Sequence, residues 1–208
     1  MDKKPVRKTP GGVSRRDFIK GVGTGALGTA VLPRLFAQDA IATKKGRVAV
    51  FDSKAVTLTV NGSPKTLTVA ANETLLDVLR DRLELAGPKK VCDRGECGGC
   101  TVLLDGRPIY ACMFLAVRAD GRSVITVEGL ARGGKLHAVQ EAFIENDGYQ
   151  CGFCTPGFLM TTAAFLETNT SPTPDEIRQA LSGNLCRCGN YAKIYKAVAA
   201  AAAKLKGA

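Results

Sequence analysis

The chain has 208 residues, 45% hydrophobic and 23% charged, which allows one or two packed domains and excludes wholesale disorder. No uncharged apolar run reaches the ~20 residues of a membrane-spanning helix, and a single histidine, His137, excludes a multi-histidine metal site. The net charge of +10 divides evenly: residues 1–42 hold eight Lys/Arg against three Asp, and the other 166 residues hold 21 basic against 16 acidic side chains.

The N-terminal segment is read apart from the fold. A basic start leads to Ser14-Arg15-Arg16-Asp17-Phe18-Ile19-Lys20, then to an uncharged, glycine-rich stretch from Gly21 to Leu32 and to Pro33-Arg34. Twelve residues are too few to span a bilayer but suit a signal core. The Ser-Arg-Arg-x-Phe-x-Lys pattern resembles the signal of the twin-arginine export route, with Ile19 in place of the commoner Leu. The weakly apolar core and Arg34 after it are similar to that route too. Ala40-Ile41-Ala42 offers a small-x-small cleavage site, and Ala37 a weaker one. The competing reading is a basic, solvated tail. We take residues 1–42 as an export signal, which makes the protein periplasmic, and 43–53 as a linker.

Beyond residue 45 the period changes twice. Val56 to Val60 and Lys65 to Val69 alternate around Asn61-Gly62, which predicts a hairpin. Asn72 is a candidate cap for a helix carrying Leu75, Leu76, Leu79 and Leu83, ended by Gly87-Pro88. Thr101 to Leu104 and Pro108 to Cys112 flank Asp105-Gly106 as a second hairpin, and Ser123 to Val127 is a further strand. After Gly129 the pattern turns helical. Leu136, Val139, Phe143 and Ile144 share a face, closed by Gly148. Thr155-Pro156 opens a helix with Phe158, Thr162, Phe165 and Leu166 on one side. Thr173-Pro174-Asp175-Glu176 has the form of a capping box, and Ala192 to Leu205 predicts a fourth helix. The class is α+β, a small mixed sheet with one helix followed by an all-α four-helix part.

Eight cysteines fall into two sets. Cys92, Cys97 and Cys100 lie in one glycine-rich loop, and Cys112 is expected on the far strand of the second hairpin. Gly95, Gly98 and Gly99 lower the cost of the turns that bring three thiolates to one inorganic core, and leave N–H groups to point at sulfur. The C-x4-C-x2-C…C spacing is that of plant-type 2Fe-2S ferredoxins. Cys151-x-x-Cys154 opens the Pro156 helix, and Cys186-x-Cys188 precedes the last one. Cys154, beside a helix start, is expected to gain thiolate character from the dipole. Disulfides and zinc are the competing readings. Against them, a chain this long does not need four staples, and the first set lacks the two-pair rhythm of zinc ribbons. A thioredoxin-like Cys-x-x-Cys lacks its βαβ unit, and His137 falls toward the polar side of its helix.

From about Ala55 onward the chain resembles the small iron–sulfur subunit of molybdenum hydroxylases, the xanthine dehydrogenase, aldehyde oxidoreductase and carbon monoxide dehydrogenase family. The resemblance rests on Cys92-Asp93-x-Gly95-x-Cys97-Gly98-x-Cys100-Thr101-Val102, on Gln150-Cys151-Gly152-Phe153-Cys154-Thr155-Pro156-Gly157, and on Gly183-Asn184-Leu185-Cys186-Arg187-Cys188-Gly189-x-Tyr191. It implies a ferredoxin-like (β-grasp) domain over 54–130 whose Cys92, Cys97, Cys100 and Cys112 hold an outer 2Fe-2S cluster. It likewise implies a helical domain over 131–208 whose Cys151, Cys154, Cys186 and Cys188 hold an inner one. By the same resemblance the inner cluster faces the molybdopterin of a separate large subunit, Gln150 reaches that pterin, and electrons pass onward to an FAD subunit or a c-type cytochrome. The chain then has no catalytic residue of its own. Two oxidised clusters with thiolate ligands add about −2 each, so the basic balance is no argument for nucleic acid. A free-standing two-cluster carrier, or a secreted disulfide-stapled binding protein, are the alternatives.

Overall fold

The computed structural model describes residues 14, 16–18, 20 and 52–207. The chain divides into two compact units, Met1–Ala49 and Val50–Ala208. In the first, Arg16, Asp17, Phe18 and Lys20 are helical and exposed. Ser14 caps this turn, its hydroxyl accepting the Asp17 N–H at 3.2 Å. Arg15, the apolar stretch from Gly21, the expected cleavage sites and most of the linker lie outside the described residues.

In the second unit, β1 (Ser53–Val60) and β2 (Ser63–Ala70) pair antiparallel from Val60↔Ser63 to Ser53↔Ala70. Their two-residue turn needs positive φ at both positions, and Asn61 and Gly62 supply it at 50° and 83°. The next helix departs from expectation at both ends. Thr74, not Asn72, caps it by accepting the Asp77 N–H at 3.1 Å. α1 (Leu75–Asp77) then widens into a π-turn over Val78–Arg82 and stops well before Gly87. Leu83 N–H reaches back to Val78 O, and Glu84 takes a left-handed φ of 57° that turns the chain away. The wider turn leaves Leu75, Leu76, Val78 and Leu79 fully buried.

β3 (Thr101–Leu104) and β4 (Arg107–Tyr110) form the second hairpin, and β5 (Ser123–Ile125) completes a five-stranded sheet ordered β2-β1-β5-β3-β4. β1 and β5 run parallel, and the other neighbours antiparallel. β4 ends at Tyr110, so Cys112 sits not on the strand but in the 3-10 turn Ala111–Met113 after it. β5 ends before Val127 because the Thr126 N–H turns aside to Asn61 Oδ1 at 2.9 Å. All four residues of β3 are buried, since successive side chains point to opposite faces and both faces are covered. Val102 and Leu104 join Leu58, Val69 and Leu76 in one core; Leu103 joins Val139, Phe143, Phe158 and Leu166 in the other.

That second core is helical. It is built by α2 (Ala138–Glu145), α3 (Thr155–Thr168), α4 (Pro174–Ala180) and α5 (Tyr191–Lys206), with α3 against β3 and α2 against α5. The face of α2 is narrower than expected: Val139, Ala142 and Phe143 are buried, whereas Ile144 is exposed, and Leu136, also exposed, precedes the His137 cap and lies outside the helix. His137 caps α2, its Nδ1 accepting the Val139 N–H at 3.3 Å. At the other end Asp147, at φ 50°, takes the left-handed position, and Gly148 is required instead by its closeness to the Phe143 ring. The capping box of α4 is as expected. Thr173 Oγ1 accepts the Glu176 N–H at 3.3 Å, and the Glu176 carboxylate returns to the Thr173 N–H at 2.7 Å. Those bonds hold the Glu176 carboxyl below its usual range, a stabilisation present above the unfolded pKa and lost as pH falls through the folded one. Thr173→Ala should cost about 1 kcal/mol, measured by urea unfolding of the whole chain at neutral pH. A mixed sheet followed by helices is therefore the observed architecture, and among the described residues no helix is long and apolar enough to cross a membrane.

Candidate iron–sulfur centres

The loop between α1 and β3 gathers the first three cysteines. Asp93, Gly95 and Gly98 take φ of 54°, 77° and 68°, and these reversals turn amide groups inward. The Glu96 N–H points at Cys92 Sγ, 3.4 Å away. Burial pushes the Cys92 thiol up, but the N–H groups of Arg94, Glu96 and Cys97 outweigh it and bring the pKa to about 7. Cys100 is pushed up to about 12 by burial; the Cys112 N–H opposes this and the Cys112 thiol adds to it. Cys92 is thus electrostatically linked to Cys97, and Cys100 to Cys112 and Cys97. The Tyr110 hydroxyl, raised by burial first, also feels Cys100, Cys97, Cys112 and Cys92, so this one side chain sits within electrostatic reach of the whole set.

The second set is gathered from the loop between α2 and α3 and the loop between α4 and α5. Cys151 is electrostatically linked to Cys188 and Cys186, and Cys154 to Cys186 and Cys151. The Phe153 N–H and Cys188 lower Cys151. Cys154 does not follow the dipole expectation: burial and the neighbouring Cys186 push it up to about 12. Even at this half-buried site, the cost of desolvating a thiolate beside Cys186 exceeds what one helix terminus returns. The Cys186 N–H is held by the Tyr191 hydroxyl at 2.9 Å.

All eight cysteines are free thiols. Among the described residues no three His, Cys, Asp or Glu side chains gather as a single ion would require; each set supplies four thiols. A binuclear cluster presents two iron atoms with two thiolates each, and this donor set fits it. The amides aimed at sulfur fit the negative charge that such a core carries.

The two sets also meet each other. The Leu185 N–H, next to Cys186, donates to the Cys97 carbonyl at 3.0 Å. The buried Asn184 amide donates to the Gly98 carbonyl at 3.3 Å, and the Tyr110 hydroxyl to the Gly183 carbonyl at 3.1 Å. A cavity of about 80 Å³ is lined by Cys97 and Gly99 from one loop and by Cys151, Cys154 and Leu185 from the other. Asn184 and Tyr191 are visible in the sequence only as part of a motif. Tyr110, an ordinary strand-end residue, carries no sequence signal. Gln150 is exposed, its amide donating to Asn190 Oδ1 at 3.4 Å.

Comparison with known proteins agrees with this geometry. Residues 58–122 match the family described as 2Fe-2S iron-sulfur cluster binding domain, and residues 126–199 the [2Fe-2S] binding domain. The chain is 42% identical to the aldehyde oxidoreductase iron-sulfur-binding subunit of Escherichia coli O157:H7, over 93% of this chain and 90% of that protein. It is 49% identical to the nicotine 6-hydroxylase small subunit of Paenarthrobacter nicotinovorans, over 71% of this chain and 88% of that one. Among solved structures, quinoline 2-oxidoreductase from Pseudomonas putida 86 superposes with a TM-score of 0.72 at 42% identity, covering 76% of this chain and 98% of that one. The chain carries two 2Fe-2S-binding domains. It belongs to the small iron–sulfur subunits of the molybdenum hydroxylase family, as an electron-transfer subunit of an oxidoreductase complex.

Proposed function

We propose that this chain relays electrons between a molybdopterin-bearing large subunit and an FAD subunit or c-type cytochrome, after export in folded form to the periplasm. In this reading residues 1–42 are the twin-arginine signal and 43–53 a linker. Residues 54–130 form a ferredoxin-like β-grasp domain and 131–208 a four-helix domain. Cys92, Cys97, Cys100 and Cys112 hold the outer cluster, and Cys151, Cys154, Cys186 and Cys188 the inner one. The observation that carries the reading is the meeting of the two thiol sets across the Leu185–Cys97 hydrogen bond and the shared cavity.

When bound, the clusters supply reversible one-electron chemistry. The chain's own residues do the rest. Amides of the 92–100 loop stabilise thiolate, Asn184 and Tyr110 hold the two loops in register, and β3 joins the two cores so that the sets keep their separation. Gln150, beside Cys151, offers the donor and acceptor groups of an amide to a pterin.

Anaerobically purified protein is expected to contain two clusters per chain, counted by iron and labile sulfide. Cys97→Ala should remove the outer cluster and Cys154→Ala the inner, each leaving the other signal in the electron paramagnetic resonance spectrum. Gln150→Ala should keep both clusters while a co-purified large subunit loses molybdenum. Iron content that is unchanged in either cysteine variant would overturn the ligand assignment.

A further inference from the structure

Two side-chain hydroxyl oxygens in the described part are buried without a hydrogen-bond partner, Thr155 Oγ1 and Thr162 Oγ1. Both lie on α3, seven residues apart, so they stand on one side of the helix about 10 Å from each other. An orphaned buried hydroxyl is costly and calls for an explanation at each position. Thr162 lies wholly within the helical core, two turns from the thiols. Thr155 is the first residue of α3, directly after Cys154. Side chains on an α-helix lean toward its N-terminus, so Thr155 leans toward the loop that carries Cys151 and Cys154. Cys154, the residue before the helix, makes no side-chain capping bond. No protein acceptor, thiol sulfur included, takes the Thr155 hydroxyl, which leaves the sulfur of a cluster held by the adjacent Cys154 as the partner that would satisfy it.

We propose that Thr155 is a positioning and tuning residue of the inner cluster: its hydroxyl donates a hydrogen bond to cluster sulfur and raises that cluster's reduction potential. This rests on the assignment of Cys154 to the inner cluster. Reduction adds one electron, whose charge spreads onto the sulfurs, so a donor at sulfur favours the reduced state over the oxidised one. Hydrogen bonds to sulfur are among the determinants of such potentials. A charge-assisted bond is stronger than a neutral one, and losing one should shift the reduced-to-oxidised ratio at fixed ambient potential by about tenfold, which is about 59 mV for one electron. The proton stays on oxygen throughout, and no bond is made or broken.

The experiment is a redox titration of the full chain, assembled with its clusters, followed by electron paramagnetic resonance of each cluster. Thr155→Val keeps the shape and removes the donor. It should retain two clusters, lower the inner midpoint and leave the outer one in place. Thr155→Ser restores the hydroxyl and should restore the midpoint. Thr162→Val deletes the other orphan on the same helix and should move neither midpoint. If Thr155→Val fails to load its inner cluster, Thr155→Ala carries the same comparison. An inner midpoint unchanged in the donor-less variant, or an equal shift from Thr162→Val, overturns the proposal. Failure of the ligand assignment is seen separately, as Cys154→Ala protein that keeps both clusters.

Discussion

Gly157→Ala is expected to destabilise the chain by roughly 1–3 kcal/mol and to lower its cluster content, although in most helices the same change is favourable. Alanine in place of a helical glycine gains up to about 1 kcal/mol from propensity. Here the added Cβ would drive into the Gly98 carbonyl, with Asn184 Nδ2 at 3.2 Å. The obstacle is backbone, not the end of a flexible side chain, and that backbone lies between Cys97 and Cys100. Over-packing of this kind costs about 1–3 kcal/mol, so relief means moving the 92–100 loop or parting it from α3. Gly98 and Gly183 face the same crowding, the first from the Gly183 carbonyl at 2.6 Å and the second from the Tyr110 hydroxyl. Two measurements check the expectation. Thermal unfolding should fall by about 2–4 °C per kcal/mol for a folded part of this size. Iron per chain should drop below the two-cluster value. A Gly157→Ala protein with unchanged melting temperature and full iron would show that the interlock is looser than its geometry requires.

Replacing Arg15 and Arg16 together by Lys should leave the folded protein in the cytoplasm, an effect close to complete. The change preserves charge, so an electrostatic role in a basic tail would survive it, whereas a receptor that reads guanidinium groups would not accept it. Arg16 is exposed in the helical turn that Ser14 caps. Cell fractionation followed by immunodetection distinguishes the outcomes. Undiminished periplasmic protein in the double variant would return the segment to the solvated-tail reading. A cytoplasmic protein that still carries two clusters would separate export from assembly.

Much of the molecule is determined by the sequence alone, wherever the governing interaction is local. The Asn61-Gly62 turn sets the register of β1 and β2 because a two-residue connection allows only one twist. The Thr173–Glu176 box starts α4 three residues apart in the chain. The cysteine spacings, confined to short loops, are enough to indicate two iron–sulfur sites and their family. Local rules failed where packing competed with them. Asn72 is as good a cap as Thr74 until the sheet decides where Leu75 and Leu76 must be buried. Ile144 has the right period for a core face yet stays exposed, and Leu136 falls before the His137 cap that starts the helix. The dipole at Cys154 favours thiolate until burial reverses it.

The relation between the two thiol sets was decided by tertiary structure alone. Asn184 and Gly98 are 86 positions apart, and nothing in the spacing of either motif states that Leu185 will donate to Cys97 or that Tyr110 will reach Gly183. Those contacts exist because β3, buried on both faces, holds the sheet core and the helical core together, and so brings the two loops to one place. A motif specifies what a loop can bind; only long-range burial specifies which other loop it meets.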